Sequence, residues 1–156
     1  MNQISEEDKR FYKIALDEAK KSLMEHGIPV GAVLVKDGKI LSKGHNQRVQ
    51  KDNPIAHGEM DCLENAGRQT SYKDMTLYTT LSPCMMCSGA IIQFKIPRVV
   101  IGENKNFEGD IEFLKKNEVE IILLDDKESI MMMSNFIELQ PELWNEDIQK
   151  HKKKYI

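Results

Sequence analysis

The sequence predicts an α/β fold, a three-layer α/β/α sandwich around a mixed five-stranded central sheet. Three observations lead there. Short apolar runs rich in β-branched residues alternate with segments of helical spacing, in the order αββαβαβ(α)βαα. The strands are near-continuously apolar, as strands covered on both faces are. An Asp37-Gly38 pair makes the first two strands an antiparallel hairpin, whereas the later strand–helix–strand passages favour parallel pairing.

Each element has its own signal. Ser5 followed by Glu6, Glu7 and Asp8 reads as a helix start, an N-cap with acidic residues in the first turn. Phe11, Ala15, Ala19 and Leu23 give that helix one buried face, and Gly27 closes it. The run 30–35 (VGAVLV) is a core strand, and Asp37-Gly38 turns the chain into a second strand over 39–43. After a polar loop, 47–54, a helix is expected from Ala56 to Gly67, with His57 and Glu59 in its first turn. Two residues apart on a helix is about 200° of rotation, so those two side chains share a site only at the helix start. The run 75–80 is the third strand. Ser82 as N-cap and Pro83 as first residue would open the next helix, placing Cys84 and Cys87 on one face. Pro97 ends that helix, and 99–102 is a fourth strand. A short helix over 111–117, a fifth strand over 119–124, and two helices over 127–139 and 142–150 split by Pro141 complete the chain.

Composition narrows the function. The 156 residues suit one domain with a full core, 40% hydrophobic and 30% charged, an ordinary soluble balance. No apolar run approaches the ~20 residues that span a bilayer, and the acidic start, residues 1–8, does not read as a secretion signal. Three cysteines, two of them in a C-x-x-C pair, make no disulfide framework, so a reducing cytoplasm is the expected setting. A net charge of −3 argues against a long nucleic-acid partner. The lysines of 150–154 read as a solvated helix end more readily than as a phosphate-binding patch.

The chemistry lies in His57-Gly58-Glu59 and Pro83-Cys84-Met85-Met86-Cys87. Zinc takes imidazole nitrogen and thiolate sulfur, and a catalytic zinc keeps three protein ligands and one open position. His57, Cys84 and Cys87 would supply the three, with Glu59 placed to exchange protons beside the metal. Either half alone is weak, since a lone C-x-x-C is as readily a redox pair. In this order the two halves resemble the pattern of zinc-dependent nucleobase deaminases.

The resemblance is more specific than that pair. Gly27-Ile28-Pro29-Val30-Gly31, Gly44-His45-Asn46, Leu77 to Cys84, Gly89-Ala90-Ile91-Ile92, Ile96-Pro97-Arg98 and Gly102-Glu103-Asn104 together resemble the fungal cytosine deaminases, within the cytidine deaminase-like fold. The resemblance implies a homodimer with one zinc ion per subunit on His57, Cys84 and Cys87, and Glu59 as proton shuttle. It implies base-edge contacts from Asn46, the amide of Gly58, the backbone around Ser82 and Asp147, with aromatic walls from Phe107 and Trp144. It also makes 140–156 a C-terminal lid helix with a basic tail. The chain departs from the fungal pattern at Met85-Met86 and at Asn145, which bears on how the lid closes.

The expected reaction is hydrolysis of cytosine to uracil and ammonia, in pyrimidine salvage. Glu59 would serve as base and acid in turn, and Asn46 would pair with a ring N–H beside a carbonyl, an edge that cytidine lacks. Asn46 has an alternative reading as a turn residue, Asp147 as a surface carboxylate and Trp144 as a core anchor. Cys62 reads as a small buried hydrophobe, His26, His45 and His151 as structural or surface residues, and Met131 to Met133 as packing. Rival functions are deamination of another small ring (guanine, isocytosine, creatinine or a pterin), tRNA adenosine deamination, and a non-enzymatic zinc or RNA-binding module. A structural zinc takes four protein ligands, one more than is found.

Overall fold

A computed structural model describes residues 4–150; His151 and the lysines of 152–154 lie outside the described residues. The chain runs α1 (Glu6–Met24), β1 (Gly31–Lys36), β2 (Lys39–His45), α2 (Gly58–Ala66), β3 (Met75–Thr79), α3 (Met85–Gln93), β4 (Arg98–Ile101), α4 (Ile111–Lys116), β5 (Glu120–Leu123), α5 (Lys127–Leu139) and α6 (Pro141–Asp147). The five strands form one sheet in the order β2-β1-β3-β4-β5. Strand β1 is antiparallel to both β2 and β3, and β3, β4 and β5 are parallel, the mixed sheet the sequence predicts. No helix among the described residues is long and apolar enough to cross a membrane.

The hairpin is built as Asp37-Gly38 requires. Lys36 pairs with Lys39, leaving two residues in the turn, and both have positive φ, 50° and 74°. That conformation matches the twist of the flanking strands, and Gly38 adopts it without steric cost. A bulge follows, since Leu34 pairs with Ser42 and Val35 with Ile40. Strand β2 continues to His45, two residues beyond the predicted end, and so delivers Asn46 directly from a paired strand.

Period-two alternation sorts the strands' side chains onto two cores. Ala32, Leu34, Leu77, Val99, Ile101 and Ile121 face the side covered by α2, α3 and α4, against Cys62, Leu63, Ile91 and Leu114. Val33, Val35, Tyr78, Val100 and Ile122 face Phe11, Tyr12 and Ala15 of α1. Helix α5 joins α1 through a hydrogen bond between the Tyr12 and Ser129 hydroxyls and an ion pair of Lys20 with Glu128 at 2.7 Å. A third cluster, Ile28, Val30, Leu81, Met133, Phe136 and Trp144, seats the last two helices beside the ends of β1 and β3.

Other boundaries differ from expectation too. His26, not Gly27, takes the left-handed position after α1, with φ 67°, and the Gly27 amide donates to the Ser22 carbonyl. His57 is the extended N-cap of α2 and not part of it, so the rotation between two helical residues does not separate it from Glu59. Helix α6 begins with Pro141 itself as a first-turn residue and stops at Asp147, because Gln149 turns to φ 55°.

The N-terminal signal has consequences beyond its helix. Ser5 and Asp8 form a full capping box. The same Asp8 carboxylate accepts from Tyr78 Oη on β3 at 2.6 Å and from both terminal nitrogens of Arg98 on β4, at 2.8 and 2.7 Å. The Arg98 guanidinium, and next the Tyr78 hydroxyl and Ser5 amide, outweigh burial and hold Asp8 well below its ordinary 3.8. A depressed carboxylate stabilises the fold fully above its ordinary value, and that stabilisation is lost as pH falls below it. Asp8→Asn is therefore expected to lower stability by about 2–4 kcal/mol at neutral pH, leaving Arg98 without its main partner. The difference from the parent should shrink as urea unfolding midpoints are followed from pH 5 toward pH 2.

Candidate active site

Two helices begin at the same place. His57 is the N-cap of α2 and Cys84 the N-cap of α3, each in extended conformation, and Cys87 lies in the first turn of α3. Cys84 Sγ is 3.4 Å and Cys87 Sγ 3.8 Å from His57 Nδ1. The three ligand atoms lie within 4.8 Å of one another, and no other such group of His, Cys, Asp and Glu occurs among the described residues. Only glycine fits between His57 and Glu59, since a Cβ on Gly58 would lie 2.9 Å from the Val30 carbonyl oxygen. That close approach of α2 to β1 brings His57 to the sulfurs.

Ser82 does not cap α3, contrary to its propensity. Its amide donates to the Glu103 carbonyl at 2.9 Å and its hydroxyl to the Glu108 carbonyl at 3.0 Å, so the loop after β4 holds it. The capping role passes to Cys84, whose sulfur accepts from the Cys87 amide at 3.4 Å. A sulfur at a helix N-terminus is favoured as thiolate. The Cys87 thiol and then His57 accordingly bring Cys84 down to about 4 against the effect of burial. Cys87 moves the opposite way, well above its ordinary value, through the Cys84 sulfur and then burial.

The imidazole is held from behind. Asp147 Oδ1 on α6 lies 2.8 Å from His57 Nε2, and both side chains are mostly buried. A metal-bound His57 would keep its proton on Nε2 against this carboxylate and turn its Nδ1 lone pair toward the sulfurs, the arrangement in which a carboxylate orients a metal-binding histidine. Burial works to lower the His57 value, but Asp147 and Cys84 outweigh it and lift it to about 10. Glu59 is 3% exposed and is pushed up to about 7 by burial and next by the Cys84 sulfur. One imidazole nitrogen and two sulfurs at these distances suit zinc, a borderline-soft cation, and are too few for a closed structural site.

A cavity of about 390 Å³ opens over these atoms. Asn46, His57, Glu59, Ser82, Cys84, Phe107, Trp144 and Asp147 all line it. Cys87, fully buried, and Gly58 lie behind that wall. Phe107 and Trp144 meet edge to face, with centroids 6.1 Å apart and planes at 88°. Asn46 Oδ1 accepts from the Arg48 amide at 2.9 Å, which sets the side-chain amide and leaves Nδ2 to donate elsewhere. Sequence reasoning passed over Arg48, whose guanidinium reaches Glu146 at 2.9 Å and Asp147 at 3.3 Å. Nothing local marks it, because both partners are almost a hundred residues away.

A mixed sheet with a histidine and two cysteines at converging helix starts, and a buried glutamate beside them, defines a hydrolytic zinc centre. The model of the cytidine and deoxycytidylate deaminase zinc-binding region matches residues 5–103, and the chain belongs to that family. The cytosine deaminase of Candida albicans is 52% identical over 145 residues, covering 91% of this chain and 97% of the relative. A tRNA-specific adenosine deaminase of Streptococcus pyogenes is 41% identical over 112 residues, 70% of this chain and 66% of the relative. A solved structure from a study of tRNA:A34 deaminases superposes with a TM-score of 0.66 at 28% identity, covering 75% of this chain and 98% of that one.

Removing the carboxylate behind the histidine tests the donor set. Asp147→Asn is expected to weaken zinc binding by about 10–100-fold, the usual effect of losing such a partner. Competition with a chromophoric chelator would measure it, and an unchanged affinity would show that Asp147 does not orient His57.

Proposed function

We propose that this chain deaminates a free nucleobase, converting cytosine to uracil and ammonia. The observation that carries the reading is the cavity's roof. Helix α6 sets Trp144 edge-on to Phe107 over the three donors, enclosing a space lined for a single ring. The extent of the match to the Candida albicans cytosine deaminase supports this, since it spans nearly all of that relative. The tRNA deaminase of Streptococcus pyogenes matches a smaller share of this chain, and an acidic balance of −3 does not favour RNA.

Each side chain has a task. His57, Cys84 and Cys87 would hold the zinc ion, which when bound would supply Lewis acidity and bring the pKa of water toward ~7. Glu59, buried at the cavity wall, accepts the water's proton and delivers it to the ring nitrogen beside the carbon under attack. It then takes the remaining proton of the hydroxyl added to that carbon and gives it to the amine, so that the C–N bond breaks, ammonia leaves and the carbonyl forms. Asn46 Nδ2 donates to the ring carbonyl, and the Gly58 amide, at the first position of α2 where no intrahelical acceptor exists, can do the same. His57 and Arg48 both approach Oδ1 of Asp147, and we assign its Oδ2 to the exocyclic amine. The backbone around Ser82 completes the base edge, with Phe107 and Trp144 against the ring faces.

We further place the enzyme in the cytoplasm, in pyrimidine salvage, as one domain that pairs with a second copy. From Met85 to Phe94 there is no charged residue, and Met85, Phe94 and nearby Ile55 are 69%, 41% and 57% exposed. An uncharged helix with large apolar side chains in water suits an interface. Sedimentation is expected to give twice the 18.0 kDa chain mass, and Phe94→Lys to shift it toward monomer.

The activity test follows ammonia release from zinc-loaded protein with cytosine, cytidine, guanine, isocytosine and creatinine. Cytosine is expected to turn over and cytidine not. Glu59→Gln should keep its zinc and lose at least ~10²–10⁴-fold in kcat. Turnover of a different ring alone would discard the substrate and keep the mechanism.

A further inference from the structure

Arg48 stands in the loop after β2, yet it touches three parts of the site. Its amide fixes the Asn46 side chain through Oδ1 at 2.9 Å. Its guanidinium lies 2.9 Å from Glu146 and 3.3 Å from Asp147, on the last turn of α6. The two ionic arms are unequal. Glu146 is 57% exposed, and such a pair contributes little in water. Asp147 is 6% and Arg48 14% exposed, so their attraction is weakly screened, and breaking it leaves a buried charge without a partner. The longer contact is therefore the stronger one.

Helix α6 has seven residues, too few to be stable alone. Its hold on the rest includes Trp144 in the third apolar cluster with Leu143 and Ile148 packed against it, the turn from α5, and the contacts of Asp147 and Glu146 with His57 and Arg48. The polar contacts reach across the cavity to the 46–57 side. We propose that Arg48 is a positioning residue that latches α6 over the cavity, and that the same residue sets the base-reading amide of Asn46. This rests on the deaminase reading of the site. Substrate capture and product release then require the Arg48–Asp147 contact to part and re-form, while Trp144 swings with the helix.

Trp144 is the sole tryptophan of the chain, so it reports the latch without any turnover. Three proteins are needed, Arg48→Ala, Arg48→Lys and Glu146→Gln, each loaded with zinc and assayed for metal content. In Arg48→Ala, KM for cytosine is expected to rise about tenfold, equivalent to about 1.4 kcal/mol, with kcat changed less than about threefold. Acrylamide should quench its tryptophan emission more strongly than in the parent. Arg48→Lys keeps the charge without the planar fork and should restore part of both effects. Glu146→Gln, on the exposed arm, should shift quenching slightly in the same direction. Raising salt should change quenching in the parent only slightly, as Glu146→Gln does, because the Asp147 arm is weakly screened.

Quenching and KM equal to the parent's in Arg48→Ala would overturn the latch. So would a parallel loss of kcat, zinc and folded signal that Glu146→Gln and Arg48→Lys do not echo, since that marks a folding role. If the parent deaminates none of the rings offered, the functional reading fails, while the quenching series still decides whether Arg48 holds α6.

Discussion

Two helix starts must coincide for this site to exist. The imidazole of His57 and the sulfurs of Cys84 and Cys87 come from segments almost thirty residues apart, and each helix has its own reason for lying where it does. Helix α2 is fastened to the end of β2 by Asp61, which accepts from the His45 amide at 3.0 Å and from Gln47 Nε2 at 3.1 Å. Ser42 Oγ adds a bond to the Cys62 carbonyl at 2.8 Å. Helix α3 is placed by β3, and β1 pairs with both β2 and β3. The central antiparallel strand thus sets the distance between the imidazole and the sulfurs, and everything on the cavity side follows from it.

That dependence explains which features the sequence discloses. Asp37-Gly38 works through two adjacent residues, so the hairpin and its register are readable locally. H-x-E and C-x-x-C are readable because donor type and spacing are both specific, and the structure gathers His57, Cys84 and Cys87 at ligand distances. The near-continuous apolar strands announce a sheet covered on both faces, as the two cores show. Ser82-Pro83 misleads, because propensity describes an isolated helix and Ser82 is claimed by backbone carbonyls of Glu103 and Glu108. The close of α1 shifts by one residue because a histidine there adopts the conformation glycine usually takes.

The partners of Asp147 lay beyond reach for a similar reason. A lone carboxylate in a C-terminal helix has no signature, and its meaning here is set by His57 and Arg48, at sequence separations no periodicity spans. Burial likewise hides the part played by Glu103, withdrawn from water, where a composition count registers only one more acid. Glu103 accepts from the amides of Lys105 and Asn106, at 2.7 and 3.0 Å, and from the Asn106 side chain at 2.9 Å. The same Asn106 Nδ2 donates to the Ile130 carbonyl on α5 at 2.9 Å. A buried acid thus shapes the stretch that presents Phe107, and ties it to the helix that leads into α6.

The capping box of α1 shows how far one carboxylate can extend its influence. Asp8 closes the first turn of its own helix and holds side chains from two neighbouring parallel strands, so α1 cannot fray at that end without releasing Tyr78 and Arg98. The first turn of α1 is therefore expected to open together with β3 and β4. Hydrogen exchange at the Asp8 and Lys9 amides, which both donate to Ser5, would then slow toward the rate of the sheet.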